Sequence, residues 1–285
     1  MKICRYDDNR LGLVGDDGIR DVSAVLARLP AVTYPFPRHD ALIAHLAELR
    51  PQIERTAQSA KPIAAEKVKL LSPIANPGKI IAAPVNYKKH LEEALADKGI
   101  HHGNLVHEIH KAGMFLKAPS SLVGPGEGVA LVHTDRRNDH EVELAVVIGA
   151  LARSVSAAQA LRCVAGYCIG LDMTIRGPEE RSLRKSPDSY TVLGPWLVTA
   201  DELPDPGNVA LKITVNGATR QDAHTSDLIL SVAELIAWGS SFYTLHPGDV
   251  ILTGTPQGVG PVQPGDVMVA TIERIGTMHV AVAAA

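Results

Sequence analysis

Three acids alternate along one short stretch of the chain, Asp139, Glu141 and Glu143 in NDHEVELAVVIGA. From Leu144 to Ile148 the residues are apolar and stop at Gly149, the pattern of a buried β-strand. Successive side chains on a strand point to opposite faces, so this spacing predicts three carboxylates on one face at the edge of a core. Like charges so placed repel, more strongly there than in water. A solvated face would relieve them. So would a divalent cation, because hard oxygen ligands suit Mg²⁺, Mn²⁺ or Ca²⁺, and the abutting apolar run favours this second reading. A further carboxylate is then wanted, and Asp172 in YCIGLDMTIR is the best candidate, although a turn aspartate would read the same way.

In NYKKHLEEAL, His90 and Glu93 share a face if the segment is helical. A carboxylate beside an imidazole orients it and raises its basicity, which makes a base for activating water. The polar segment that follows carries His101, His102, His107 and His110. Its HEIH is not the HExxH of zinc peptidases, so a mobile lid is expected there rather than a zinc site. Lys117 sits between an apolar pair and Pro119, where a lysine is ordinarily at the surface. Thr253-Gly254-Thr255-Pro256 ends a strand in a tight turn that can present a hydroxyl and backbone N–H groups to a carboxylate or oxyanion.

The elements that must hold these groups are mostly strands. KIIAAPV, VELAVVIG, GPWLVTA, ALKITVNGATRQ, DVILTGTP and VMVATIERIGTMHVAVA combine β-branched content with Gly and Pro breaks, and Asn216-Gly217 is a hairpin signal. Helices are expected over AAQALRCVAGYC and LSVAELIAWGSSFY. There is no βαβ alternation, GxGxxG or phosphate loop. Residues 1–72 read as a separate small α+β unit: short strands around Asp17-Gly18, then a helical spacing of Leu42, Ile43, Leu46, Leu49 and Ile53 that Pro51 interrupts. Residues 73–285 form the second unit, with the lid at about 88–114. The expected class is α+β and β-dominated.

Bulk composition excludes more than it selects. Hydrophobic residues are 46%, charged residues 21% and the net charge is −3, ordinary for a globular protein with no nucleic-acid partner. Three cysteines without a CxxC pair argue against a disulfide framework or structural zinc. No apolar run is long enough to span a membrane and the start lacks the layout of a signal peptide, so a cytoplasmic setting is expected.

Taken in order, NYKKH, FLKAPSSLVGPG, DHEVELAVVIG, GYCIGLDMTIR, KSPDSYTVLGPWLVT, VNGATRQ and LHPGDVILTGTPQGVG resemble the fumarylacetoacetate hydrolase family over most of residues 79–280. The resemblance implies a mixed β-sandwich roll and a homodimer. It implies Mg²⁺, Mn²⁺ or Ca²⁺ held by Glu141, Glu143 and Asp172, with Asp139 at the start of the strand and not a ligand. It implies His90 and Glu93 as the base dyad on a lid, and Lys185 as the active-site lysine. Arg176, Glu179, Thr255 and Lys117 become candidate substrate contacts. Two departures stand out: Glu179 occupies a place where members carry glutamine, and the interval from Asp172 to Lys185 is short.

The implied activity is metal-dependent hydrolysis of a C–C bond in an acylpyruvate-like 2,4-dioxo acid, releasing pyruvate or a related 2-oxo acid. Decarboxylation of an oxaloacetate-type acid and hydration or isomerisation of a 2-oxo-enoate would use the same cation. A carboxylate-binding protein without activity is the reading from a different class, and the presence of the dyad argues against it.

Overall fold

The computed structural model describes residues 1–101 and 106–285. His102 lies outside the described residues. Two sheets pack face to face, with a small third sheet at one end. The larger sheet runs through Lys2–Tyr6, Thr191–Thr199, Val164–Asp172, Val142–Ile148, Val250–Leu252, Ile80–Ala82 and Phe115–Lys117. The five-stranded sheet is Ala218–His224, Ala210–Val215, Val267–Ile272, Gly276–Ala284 and Val129–Leu131. This is the β-dominated α+β architecture expected.

Strand Val142–Ile148 shows why its sequence is apolar on both faces. Leu144, Val146 and Ile148 join Ile213, Met268, Ala270 and Val280 in the core between the sheets. Ala145 and Val147 face the other way, onto Leu46, Leu49 and Ile53 of helix Leu46–Ser59. A strand covered on both sides loses the polar alternation of a surface strand. Each Leu, Ile or Val so buried contributes about 1.5–3 kcal/mol, which anchors the end of the strand that carries Glu143.

No break in sheet or core falls near residue 72. Strand Lys2–Tyr6 pairs with Thr191–Thr199 in the large sheet, Ile3 opposite Leu197, and the first unit's helix covers that sheet. Sequence periodicity treats the two stretches separately because it cannot see strand pairing across nearly two hundred residues.

Three local expectations need correction. The helix expected over AAQALRCVAGYC ends early: Ala157–Ala160 is helical, Leu161–Cys163 is a 3₁₀ turn, and Val164 opens a nine-residue strand. Pairing decides this, since Val164 lies opposite Ile148 on one side and Gly166 opposite Thr199 on the other. Pro51 does not interrupt its helix. The break comes at His45, between Ala41–Ala44 and Leu46–Ser59, and Pro51 lies exposed inside the second helix.

The acidic run is not one continuous strand either. Asn138–His140 belongs to the small sheet with Thr174–Ile175 and Gly260–Pro261, Glu141 stands at the break, and Val142–Ile148 belongs to the large sheet. Asn216-Gly217 turns the hairpin as expected, both at positive φ.

Candidate active site

Glu141 and Asp172 face each other where the large sheet gives way to the small one. Asp172 is the last residue of strand Val164–Asp172, and its N–H donates to the Glu141 carbonyl at 2.9 Å. Glu143 follows two residues on, opposite Gly170. All three side chains are buried, and one carboxylate oxygen from each lies within 4.8 Å of the others.

Their partners differ. Glu141 accepts from Lys185 Nζ at 2.8 Å, Arg176 Nη2 at 3.0 Å and Thr174 Oγ1 at 3.0 Å. Burial alone would raise its carboxyl, but the Lys185 and Arg176 charges outweigh burial and hold it well below the usual range. Asp172 accepts from Lys185 Nζ at 2.7 Å and from Lys117. Glu143 accepts the Gly254 N–H at 2.6 Å and meets no cationic side chain among the described residues. Burial, then the charges of Asp172 and Glu141, push its carboxyl up.

An all-oxygen donor set, buried and with one carboxylate left uncompensated by protein cations, fits a hard divalent cation. The turn at Gly254 is built for this contact. Its φ of 101° is open to glycine, and a Cβ there would stand 2.7 Å from Asn86 Cβ.

His90 and Glu93 lie on helix Lys88–Ala96, and His90 lines the same cleft as the triad. Glu93 is held at both oxygens: Oε2 meets His90 Nδ1 at 2.9 Å and Oε1 accepts the Gly258 N–H at 2.9 Å. The dyad is thereby tied to the turn that follows Thr255. Asn86 fixes the start of the segment, donating to the Leu230 and Thr253 carbonyls and accepting the Leu230 N–H.

The cleft lining brings together His90, Glu141, Glu143, Asp172, Arg176, Lys185 and Thr255. Lys117 is buried beneath it, donating to Asp172 and, at 2.8 Å, to the Tyr190 carbonyl. Burial lowers its pKa despite the Asp172 charge. Arg176 pairs with Asp139 at 2.8 Å as well as with Glu141, so Asp139 acts behind the triad. The Thr255 hydroxyl donates to the Val142 carbonyl and accepts from Gln221 Nε2, which leaves it engaged with the protein.

Glu179 is not among the cleft residues, and its carboxylate pairs with Arg136 at 2.7 Å. His107 and His110 are exposed and also stand apart from the lining. Sequence reasoning missed Arg181, Arg184 and Phe115, which do line the cleft. The signal was RSLRK, three cations in five residues before an apolar strand.

The chain belongs to the fumarylacetoacetate hydrolase family: the family model of the fumarylacetoacetate (FAA) hydrolase C-terminal domain matches residues 79–283, the span that supplies every side chain of the cleft. Within that family it is 61% identical over 284 residues to the maleylpyruvate hydrolase of Aquipseudomonas alcaligenes, covering 99% of each chain. It is 35% identical to the 2,4-didehydro-3-deoxy-L-rhamnonate hydrolase of Sphingomonas sp. (strain SKA58), over 98% of this chain and 95% of that one. The crystal structure of maleylpyruvate hydrolase from Sphingobium sp. SYK-6 in complex with manganese(II) ion and pyruvate matches 100% of this chain and 99% of its own, with a TM-score of 0.84 at 39% identity.

Proposed function

We propose that this protein is a divalent-cation-dependent hydrolase of acylpyruvates, with maleylpyruvate as the substrate its relatives' names indicate and pyruvate as one product. One observation carries the reading: the buried Glu141, Glu143 and Asp172 open onto the same cleft as the His90–Glu93 pair. Glu141, Glu143 and Asp172 would hold Mn²⁺ or Mg²⁺, with Ca²⁺ also suited to the donors. When bound, the cation supplies the Lewis-acid charge that draws the 2-oxo acid end of the substrate and favours electron release toward it.

The residues then divide the work. Glu93 engages His90 Nδ1, so Nε2 takes a proton from water. The resulting hydroxide adds to the acyl carbonyl. The C–C bond to the pyruvoyl methylene breaks, its electron pair leaves as pyruvate enolate, and the acyl group departs as a carboxylate. Lys185 returns a proton to the methylene carbon, giving pyruvate. Arg176 and Lys117, both engaged by ligand carboxylates, hold those ligands in place rather than contacting substrate. Helix Lys88–Ala96 and the described residues beyond it serve as a lid, contributing Ala94, Ile100 and Val106 to the cleft's apolar wall.

A homodimer, which the family resemblance implies, and the cytoplasmic setting expected from the sequence are part of the same reading. No helix among the described residues is long and apolar enough to cross a membrane.

The test is a panel of maleylpyruvate, acetylpyruvate and oxaloacetate with the Mn²⁺-loaded protein. Pyruvate release from the acylpyruvates at the higher kcat/KM is the expected result. CO₂ release from oxaloacetate as the dominant activity would overturn the assignment.

A further inference from the structure

The cations around the cleft are unevenly matched. Lys185, Lys117 and Arg176 pair with Glu141, Asp172 and Asp139. Arg136 and Arg137, behind them, pair with Glu179, Asp97 and Asp139. Two arginines on the short helix Arg181–Lys185 also line the cleft, and neither has a carboxylate partner among the described residues. Arg184 Nε donates to the Glu179 carbonyl at 2.8 Å and its Nη1 to the Ile175 carbonyl at 3.3 Å. Arg181 donates to no group among the described residues. Its guanidinium lies 5.4 Å from the centre of the Phe115 ring, which also receives the Lys185 ammonium at 5.5 Å. A ring face positions a cation without neutralising it.

Resting on the acylpyruvate reading above, we propose that Arg181, seconded by Arg184, receives a second carboxylate at the distal end of the substrate, so that the cleft selects acylpyruvates whose acyl group is itself an acid. The chemistry of such a substrate matches the charge arrangement. Its 2-oxo acid end goes to the cation site, where the protein's own cations, Lys185, Lys117 and Arg176, are already paired with carboxylates. Its acyl end, as in a maleyl group, carries an anion that needs a planar donor fork, which guanidinium provides in bidentate form. Both arginines are half-buried, and burial lowers the pKa of each, the sign of cationic groups lacking full compensation. The apolar wall of Ala94, Ile100, Val106 and Phe115 suits the carbon chain between the two ends.

The experiment compares wild type, Arg181→Met and Arg181→Lys, all Mn²⁺-loaded. Maleylpyruvate carries the distal carboxylate and acetylpyruvate lacks it. The ratio of their kcat/KM values is expected to fall by about tenfold or more in Arg181→Met, the size of a lost hydrogen bond to a charged group, and to recover in part in Arg181→Lys. The loss should appear mainly in KM for maleylpyruvate.

Calorimetric binding of maleate to the same three proteins supplies a readout that needs no turnover, and weaker binding to Arg181→Met is expected there too. A wild type that hydrolyses neither acylpyruvate would count against the hydrolase reading, and the maleate arm would still decide the role of Arg181. An unchanged substrate ratio, or maleate binding equal in wild type and Arg181→Met, would overturn the proposal.

Discussion

Glu141 and Glu143, two positions apart, are held in opposite electrostatic states. Glu141 meets Lys185 and Arg176 and is driven toward ionisation, whereas Glu143 accepts only the Gly254 N–H and retains its proton more readily. The pair thus stores an uncompensated site at the centre of the cleft, which a divalent cation would relieve.

Glu143→Gln follows directly. The substitution keeps the shape and removes the like charge, so the cation-free protein should melt at the same temperature or higher. Affinity for Mn²⁺ should fall by at least about tenfold. Thermal denaturation in EDTA and a Mn²⁺ titration check both halves; a large loss of melting temperature with Mn²⁺ affinity intact would refute the account of this residue.

His90→Ala should separate binding from chemistry. His90 touches Glu93 and the cleft but is not a proposed ligand, so Mn²⁺ affinity should hold while acylpyruvate hydrolysis falls by ~10²-fold or more. Calorimetry beside steady-state kinetics reads both. Hydrolysis at the wild-type rate would remove the dyad from the mechanism.

The thiols should differ sharply. Cys4 and Cys168 are buried, and burial pushes Cys4 up to about 12 and Cys168 higher still, while Cys163 is half-buried. A thiol-specific reagent near pH 8 should find one fast thiol in the native protein and three after denaturation, and Cys163→Ser should abolish the fast phase. Rapid reaction of all three in the native state would contradict the packing described.

Stability should fall as pH rises above about 9. The Cys4 thiol ionises near its ordinary value of 9.0 when unfolded but only at about 12 when folded. Between those values the unfolded chain binds fewer protons, so the slope of stability against pH is negative, up to about 1.4 kcal/mol per unit from this group. Tyr6, raised from 10.0 to about 12 by burial and by Asp21, adds the same sign over the upper part of the window. Urea denaturation at a series of pH values measures it. Cys4→Ala should flatten the profile, and an identical profile in that variant would assign the loss elsewhere.

How legible the site was depended on the range of the interaction. Alternating acids beside an apolar run conflict with local energetics and so pointed to a cation, with Asp172 as a further candidate, but the choice of Glu141, Glu143 and Asp172 over Asp139 was implied only by the family resemblance. The contact of His90 with Glu93 was readable because three residues is a helical spacing. The end of the helix at Ala160 was not, because the pairing of Gly166 with Thr199 and Tyr167 with Val198 is set by a strand more than thirty residues away.

Lys117 looked like a surface lysine and is instead buried under Asp172, a partnership made by sheet pairing. Arg181 and Arg184 escaped for a related reason. Their meaning lies in the absence of carboxylate partners among the described residues, and partners are a property of the folded molecule.

The central claim is that acylpyruvate cleavage depends on a divalent cation at Glu141, Glu143 and Asp172. The most direct measurement is pyruvate release from maleylpyruvate by protein treated exhaustively with EDTA, then given back Mn²⁺ or Mg²⁺. The account predicts that chelation abolishes turnover, that either ion restores it, and that Glu141→Ala is not restored at concentrations that saturate the wild type. Undiminished pyruvate release after thorough chelation would contradict it.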